Sequence, residues 1–320
     1  MKRDFVALNR KETLEKIKNL GMPVRLLVDF SALGHRVAYS CFKDLVAVGF
    51  IDWKAWKVKF LDHVLSLKQQ LNSKNGVEVI ICCDQKVNGN YWRMNIYSEY
   101  KKMRYLQKEQ IPRELMNKNF TDFQKELYDC FPFKVISIPG AEGDDVIAVL
   151  GRDSKYANII MSSDFDLYQI TDNQTNFMFS LNKDAFVDGG NAKSYLIEKI
   201  CGGDSSDNIP NISSDLDAIS DPLKRQKRFT AKRMDCMLDV FVKEGEEVLV
   251  SQLEGTEKLR YLENKSLMDL TKIPKEISEN IRIAYENYHM VGNPKLTWQY
   301  CFNNNIDKEC TNRIVAGVMP

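Results

Sequence analysis

Short apolar runs, each bounded by turn residues, recur along the first two thirds of the chain: Val24–Val28, Val77–Cys83, Phe133–Ile138, Asn158–Met161 and Asn176–Leu181. Runs this brief, mostly rich in Val, Ile and Phe, predict strands. Between the first two lies WKAWKVKFLDHVLSLKQQL (Trp53 to Leu71), whose apolar residues return at helical spacing. A second helical pattern follows Gly143 in DDVIAVLGRDSKYA. Continuous apolar strands alternating with helices imply an α/β fold, a mostly parallel central sheet with helices on both faces. The connection from Asp84 to Phe133 far exceeds the roughly dozen residues of a simple crossover, so it must hold extra structure. After Gly203 strand signals fade and helical patterns take over, in Ala231–Lys243, Glu257–Leu270 and Lys275–Tyr288. The expected organisation is an α/β domain over residues 1–203, with an insertion at about 86–118, and a smaller helical domain over 204–320.

Composition narrows the class. Of 320 residues, 44% are hydrophobic, 28% charged and 10% aromatic, which is ordinary globular usage and excludes disorder, collagen and coiled coil for the whole chain. No apolar run approaches the roughly 18 residues of a membrane span. The start, MKRDFVALN, is too short in apolar residues for a secretory h-region. Eight cysteines include no CxxC pair, which argues against zinc sites and disulfide scaffolds and fits a reducing cytoplasm. The net charge of +1 conceals a strong segregation. Residues 86–118 hold eight bases and three acids, residues 142–221 fifteen acids and five bases, and residues 223–233 six bases and no acid. Such blocks suit solvated faces; they equally suit a polyanion held over bound cations.

Placement of the acids favours the second. VRLLVDFS ends its strand at Asp29 and VEVIICCDQ at Asp84; PGAEGDDVIAVL follows the third strand, and NIIMSSDFD ends in Asp164 and Asp166. One acid after a strand is an ordinary turn or cap residue. Four in succession along the edge where open α/β sheets bind ligands are harder to explain that way. Converging carboxylates repel unless cations neutralise them. An all-oxygen donor set with only three histidines favours Mg²⁺ or Mn²⁺ over zinc. In extended geometry the i, i+2 pair Asp164 and Asp166 would leave one face. Glu142 and Asp145 are i, i+3 with Asp144 between them, where helix capping is the competing role for Asp145. Asp204 and Asp207 repeat the i, i+3 spacing in GGDSSDNIP. The acids suffice for two cations, the arrangement suited to in-line displacement at a phosphodiester.

The ordered segments LLVDFSALG, IICCDQ, GNYWRMNIYSEYKKMR, AEGDDVIAVL, IMSSDFDLYQI and GGDSSDNIP, spread over about residues 24 to 212, resemble the 5′-nuclease or flap endonuclease superfamily with its PIN-like catalytic domain, most closely its T-even bacteriophage ribonuclease H branch. The resemblance implies that Asp29, Asp84, Glu142, Asp144, Asp164 and Asp166 hold two Mg²⁺ directly or through water, with Asp145 a weaker member. It implies the same, through water, for Asp204 and Asp207. Arg93, Lys101 and Arg104 match basic residues that reach the scissile phosphate. Lys101 and Arg104, at i, i+3, could share a helix face. Tyr100 and Lys102 are candidate nucleic-acid contacts, Tyr100 by stacking on a base. Relatives usually follow the acidic segment with a glycine-bearing helix–hairpin–helix and a monovalent cation. Here residues 204–244 contain no glycine, and PLKRQKRFTAKR points instead to side-chain charge from Lys224, Arg225, Lys227 and Arg228.

The resemblance therefore implies a Mg²⁺-dependent 5′ to 3′ nuclease that removes RNA primers and short 5′ flaps during phage replication. Its implied substrates are RNA:DNA hybrid and duplex DNA with a 5′ end or flap. A single-stranded-DNA-binding protein and a sliding clamp are the implied protein partners of a monomer with no membrane attachment. Two other readings stay open. One is a metal-dependent phosphomonoesterase, disfavoured because Asp29 is followed by Phe30–Ser31 with no second Asp. The other is a binding module without catalysis, disfavoured because every acidic position is kept.

Overall fold

The computed structural model describes residues 4–45, 51–71, 73, 76–105, 111–215, 217–219, 221 and 223–319. Lys108, Glu109 and Pro222 of the basic segments lie outside them. The chain divides into two compact units: one of Val6–Gln85, Gln110–Asp188 and Lys275–Pro320, the other of Met1–Phe5, Lys86–Glu109 and Gly189–Pro274.

The larger unit is built on seven strands: β1 (Val6–Ala7), β2 (Val24–Asp29), β3 (Val77–Cys83), β4 (Lys134–Ser137), β5 (Ala157–Ser162), β6 (Asn176–Ser180) and β7 (Ala185–Asp188). Their order is β1-β7-β6-β5-β2-β3-β4. Neighbours from β6 through β4 are parallel, and β7 joins β6 and β1 antiparallel. All six residues of β2 and of β5 are buried, so both faces of the sheet centre are covered. From β2 the chain winds outward through β3 and β4, then returns to lay β5 on the other side of β2. That reversal is a topological switch point, and its crevice opens at the carboxyl ends of β2 and β5.

The core of this unit shows why the helices lie where they do. Helix Trp53–Leu71 buries Trp56, Phe60, Leu61, Val64 and Leu65, and helix Arg113–Cys130 buries Met116, Phe120, Phe123 and Leu127. Each such side chain contributes about 1.5–3 kcal/mol on burial. Trp56 stacks on Phe120 with ring centroids 5.3 Å apart, and its Nε1 donates to the Gly34 carbonyl at 2.9 Å. The C-terminal helices Pro294–Asn303 and Lys308–Val318 add Tyr300, Cys301, Ile314 and Val318 to the same core. The boundary expected at residue 203 therefore does not describe the packing. Residues 275–320 belong with the sheet because their apolar faces are buried there, and residues 86–109 belong with the helical unit.

The smaller unit has its own core. Ile197, Ile200 and Cys201 of helix Ala192–Gly202 meet Met237 of helix Ala231–Glu244, Leu249 of helix Glu246–Ser251, and Tyr261 and Leu267 of helix Gly255–Met268. Tyr97 and Tyr100 from the inserted segment complete it.

Candidate active site

Asp29 closes β2 and is 6% exposed. Its Oδ1 accepts from the Ala32 amide at 2.9 Å, and its Oδ2 accepts from Ser162 Oγ at 2.6 Å across the switch point. Asp84 follows β3. Its Oδ2 accepts from Ser31 Oγ at 2.7 Å and its Oδ1 from the Gly143 amide at 2.6 Å. Glycine at 143 eases this approach: a Cβ there would stand 3.0 Å from the Cys82 carbonyl oxygen and 3.3 Å from Asp84 Oδ1, so the neighbours would have to give by a few tenths of an ångström. The amide thereby draws the start of helix Gly143–Leu150, with Glu142 and Asp144, against Asp84.

Glu142 is the N-cap of that helix and is buried; Asp145 is fully buried and accepts from the Glu142 amide at 3.0 Å, closing a reciprocal capping box. Asp145 thus takes the capping position weighed against metal binding, and the half-buried Asp144 stands beside it. Asp164 and Asp166 depart from the extended geometry expected of them. β5 ends at Ser162, and Asp164 caps the 3-10 turn Phe165–Ile170 by accepting from the Asp166 amide at 2.8 Å. Strand alternation therefore does not set their directions.

Electrostatics unify this edge. Burial, reinforced by the Asp84 and Asp164 charges, pushes the Asp29 carboxyl up to about 7, against the Ala32 and Ser162 hydrogen bonds that pull it down. Among the described residues no three such side chains close up into a ready-made metal-holding group. Hard oxygen donors gathered at one sheet edge without closing into a tight cluster fit a cation that keeps several waters, as Mg²⁺ does.

The acids of the smaller unit are different. Asp204 caps the 3-10 turn Ser205–Asp207 and receives Lys199 Nζ; burial pushes its carboxyl up, but Lys199 and the Ser206 hydrogen bonds outweigh this and hold it below the usual range. Asp207 pairs with Arg104, and Lys101 Nζ stands 3.8 Å from its Oδ2. Lys101 and Arg104 converge there without sharing an α-helical face. Lys101 has φ +58° ahead of the 3-10 turn Lys102–Tyr105, and its amide donates to the Asp207 carbonyl at 2.9 Å. Both acids of this turn carry their own cations, whereas Asp29 has no ion-pair partner among the described residues.

Two sequence expectations need correction. Arg93 is 4% exposed and donates through Nε to the Leu267 carbonyl at 2.8 Å, so here it ties the inserted segment to helix Gly255–Met268 instead of presenting a free guanidinium. Tyr100 is 4% exposed within the second core, so its ring is packed and offers no face to a base. Lys102 pairs with Glu99 at 2.8 Å, while Lys224 and Lys227 are exposed and pair with Asp217 and Asp215. Arg225 and Arg228 are exposed. Sequence reasoning missed Ser31, Ser162 and Lys199. Their signal was spacing: two residues after Asp29, two before Asp164, and five before Asp204 in the last turn of a helix.

Comparison with known proteins agrees with this architecture. Residues 24–196 match the family described as 5′-3′ exonuclease, N-terminal resolvase-like domain, and residues 190–314 match T4 RNase H, C terminal. The chain is 26% identical over 277 residues to ribonuclease H of Enterobacteria phage T4, covering 82% of this chain and 87% of that one. It is 26% identical over 205 residues to the thermostable DNA polymerase I of Thermus aquaticus, of which it spans 22%. Two solved structures share the fold. The bacteriophage T5 protein co-crystallised with metal ions has a TM-score of 0.56 at 17% identity, covering 92% of this chain and 99% of that one. The T5 flap endonuclease complex with DNA and metal ions has a TM-score of 0.55 at 16% identity, with 92% and 98% coverage. The chain belongs to the 5′-3′ exonuclease family with its N-terminal resolvase-like domain, and it is a 5′ nuclease, a phosphodiester hydrolase.

Proposed function

We propose that this nuclease is Mg²⁺-dependent, uses two cations, and removes RNA primers from RNA:DNA hybrids and short 5′ flaps from duplex DNA during phage replication. One observation carries the reading: Asp29, Asp84 and Asp164 gather at the switch point with no ion-pair partner among the described residues, and burial together with the Asp84 and Asp164 charges drives Asp29 toward its neutral form. Asp29, Asp84, Glu142, Asp144, Asp164 and Asp166 would hold the cations, directly or through water, with Mn²⁺ able to substitute. When bound, the cations supply Lewis acidity toward the phosphodiester and its attacking water. Ser31, Ser162 and the Gly143 amide hold the carboxylates in place. The resemblance gives Lys101 and Arg104 the role of neutralising charge that develops on the phosphate, for which they would have to leave Asp207. The resemblance adds a single-stranded-DNA-binding protein and a sliding clamp as partners of a monomer working in the host cytoplasm. The test uses 5′-labelled and 3′-labelled primer–templates, RNA-primed and DNA-flapped, with Mg²⁺ and with chelator. Short products released from the 5′ end in Mg²⁺ alone are expected; full activity in excess chelator would sink the reading.

A further inference from the structure

Ser162 is fully buried at the end of β5, one step beyond the Val28–Met161 pairing that joins β5 to β2. Its hydroxyl lies between two acids from different elements. The Asp164 amide points at Ser162 Oγ from 2.9 Å, and Asp29 Oδ2 lies 2.6 Å away on the other side. A backbone N–H can only donate, so the serine oxygen accepts from Asp164, and its own proton goes to Asp29. With Asp29 ionised, as a cation-holding carboxylate is, the direction of both bonds is fixed. Asp29 Oδ1 is held separately by the Ala32 amide, so the two oxygens have one donor each and keep their remaining lone pairs. Ser31 acts likewise from the start of helix Phe30–Leu45, donating to Asp84 Oδ2 while the Gly143 amide occupies Oδ1.

We propose that Ser162 is a positioning residue for the nuclease centre: one hydroxyl sets the orientation of the Asp29 carboxylate and the place of Asp164 together, with Ser31 orienting Asp84 in the same manner. The proposal rests on the reading of these acids as cation holders. A hydroxyl that donates to a ligand carboxylate fixes its rotamer, and groups in that role typically govern metal affinity by about 10–100-fold. Ser162 links two such carboxylates across the gap between β2 and β5, so its loss should act on both. Without the hydroxyl, the Asp164 amide loses its acceptor and Asp29 Oδ2 its donor, and the two acids no longer share a fixed separation.

The test is a calorimetric titration of the full chain with Mn²⁺, together with melting temperature in chelator and metal-free binding to a primer–template. Wild type reports on the cation reading itself: no heat and no Mn²⁺-dependent rise in melting temperature would overturn that reading, whatever the serines do. With wild type binding, Ser162→Ala should weaken Mn²⁺ affinity by about 10–100-fold. Metal-free DNA affinity should stay at the wild-type value, and Ser162→Cys, which keeps a small weak donor, should fall between the two. Ser31→Ala, at a half-buried position, should weaken Mn²⁺ affinity in the same direction and serves alone should Ser162→Ala not fold. Mn²⁺ titrations of the folded serine variants that superpose on wild type would overturn the proposal. So would a loss of stability in chelator with metal affinity unchanged, since that is the mark of a merely structural hydroxyl.

Discussion

At Asp164, one oxygen caps the turn Phe165–Ile170 while the charge of the whole carboxylate acts on Asp29. Asn caps as well as Asp does, so Asp164→Asn keeps the first role and deletes the second. The melting temperature in chelator should hold within the range of about 0.5 kcal/mol usual for a benign exposed change. Single-turnover cleavage in Mg²⁺ should fall by more than about tenfold, and metal-free DNA binding should stay equal or tighten as one repelling charge goes. A folded Asp164→Asn protein that cleaves normally would contradict Asp164 as a cation holder. Acids of this kind were legible in the sequence because each follows an apolar run directly, so its place at a strand end needs no long-range information. Ser31 and Ser162 were not, because a serine beside a turn is commonplace and its partner lies 53 or 133 residues away. Tyr100 and Arg93 misled for the same reason: aromatic and basic letters in an amphipathic stretch do not reveal whether a second core will bury them.

Among the elements, the five central strands could be read almost to the residue, since a parallel strand buried on both faces is a continuous apolar word. β1 and β7, two and four residues long, were missed because an edge pairing so short leaves no periodicity. The sheet's far end shows what stabilises these elements without chemistry. Arg25, 1% exposed at the start of β2, lies between the rings of Tyr156 and Tyr285 at 3.2 and 4.3 Å and pairs with Glu78 and Asp153. Tyr285 belongs to helix Lys275–Glu286, which this contact fastens to β2 and β3. Arg25→Ala removes a buried side chain packed against two rings, while Glu78 keeps Lys134 at 3.0 Å and the Tyr285 hydroxyl; it should cost about 0.5–3 kcal/mol, read as a fall in melting temperature. Asp29 is four residues on, about 13 Å along the strand, so turnover per folded molecule should be preserved. In the smaller unit, Glu257 accepts from Arg233 at 2.8 and 2.6 Å, joining helix Gly255–Met268 to helix Ala231–Glu244. Arg233 holds the Glu257 carboxyl below its usual range. A depressed carboxyl stabilises the fold above its unfolded value near 4.3 and ceases to as pH falls through the folded value. Glu257→Gln should therefore cost about 0.5–1 kcal/mol at pH 7 for so exposed a pair, with the gap to wild type closing below about pH 4. A gap that persists unchanged at low pH would assign the loss to packing.

Over the whole molecule, the segregation of charge was visible in the sequence, but the division into units was not, because three separate stretches build each one and only packing shows which belong together. The same ignorance affected the basic run after residue 222. As letters, Lys224, Arg225, Lys227 and Arg228 are four equal contacts for a nucleic-acid backbone. In the fold Lys224 meets Asp217 at 2.6 Å and Lys227 meets Asp215 at 3.3 Å, whereas Arg225 and Arg228 form no ion pair among the described residues. A lysine already neutralised by an aspartate releases little counterion when it turns to a phosphate, and the aspartate it leaves behind repels the same backbone. Replacing Arg225 and Arg228 together by Gln should therefore flatten the dependence of log affinity on log salt by about two units. Replacing Lys224 and Lys227 should change the slope by less than one. Metal-free binding to a primer–template, measured across a salt series for the two double variants, separates the cases. Equal changes in slope would mean that both aspartates let go of their lysines on binding, and that the run acts as the sequence alone suggested.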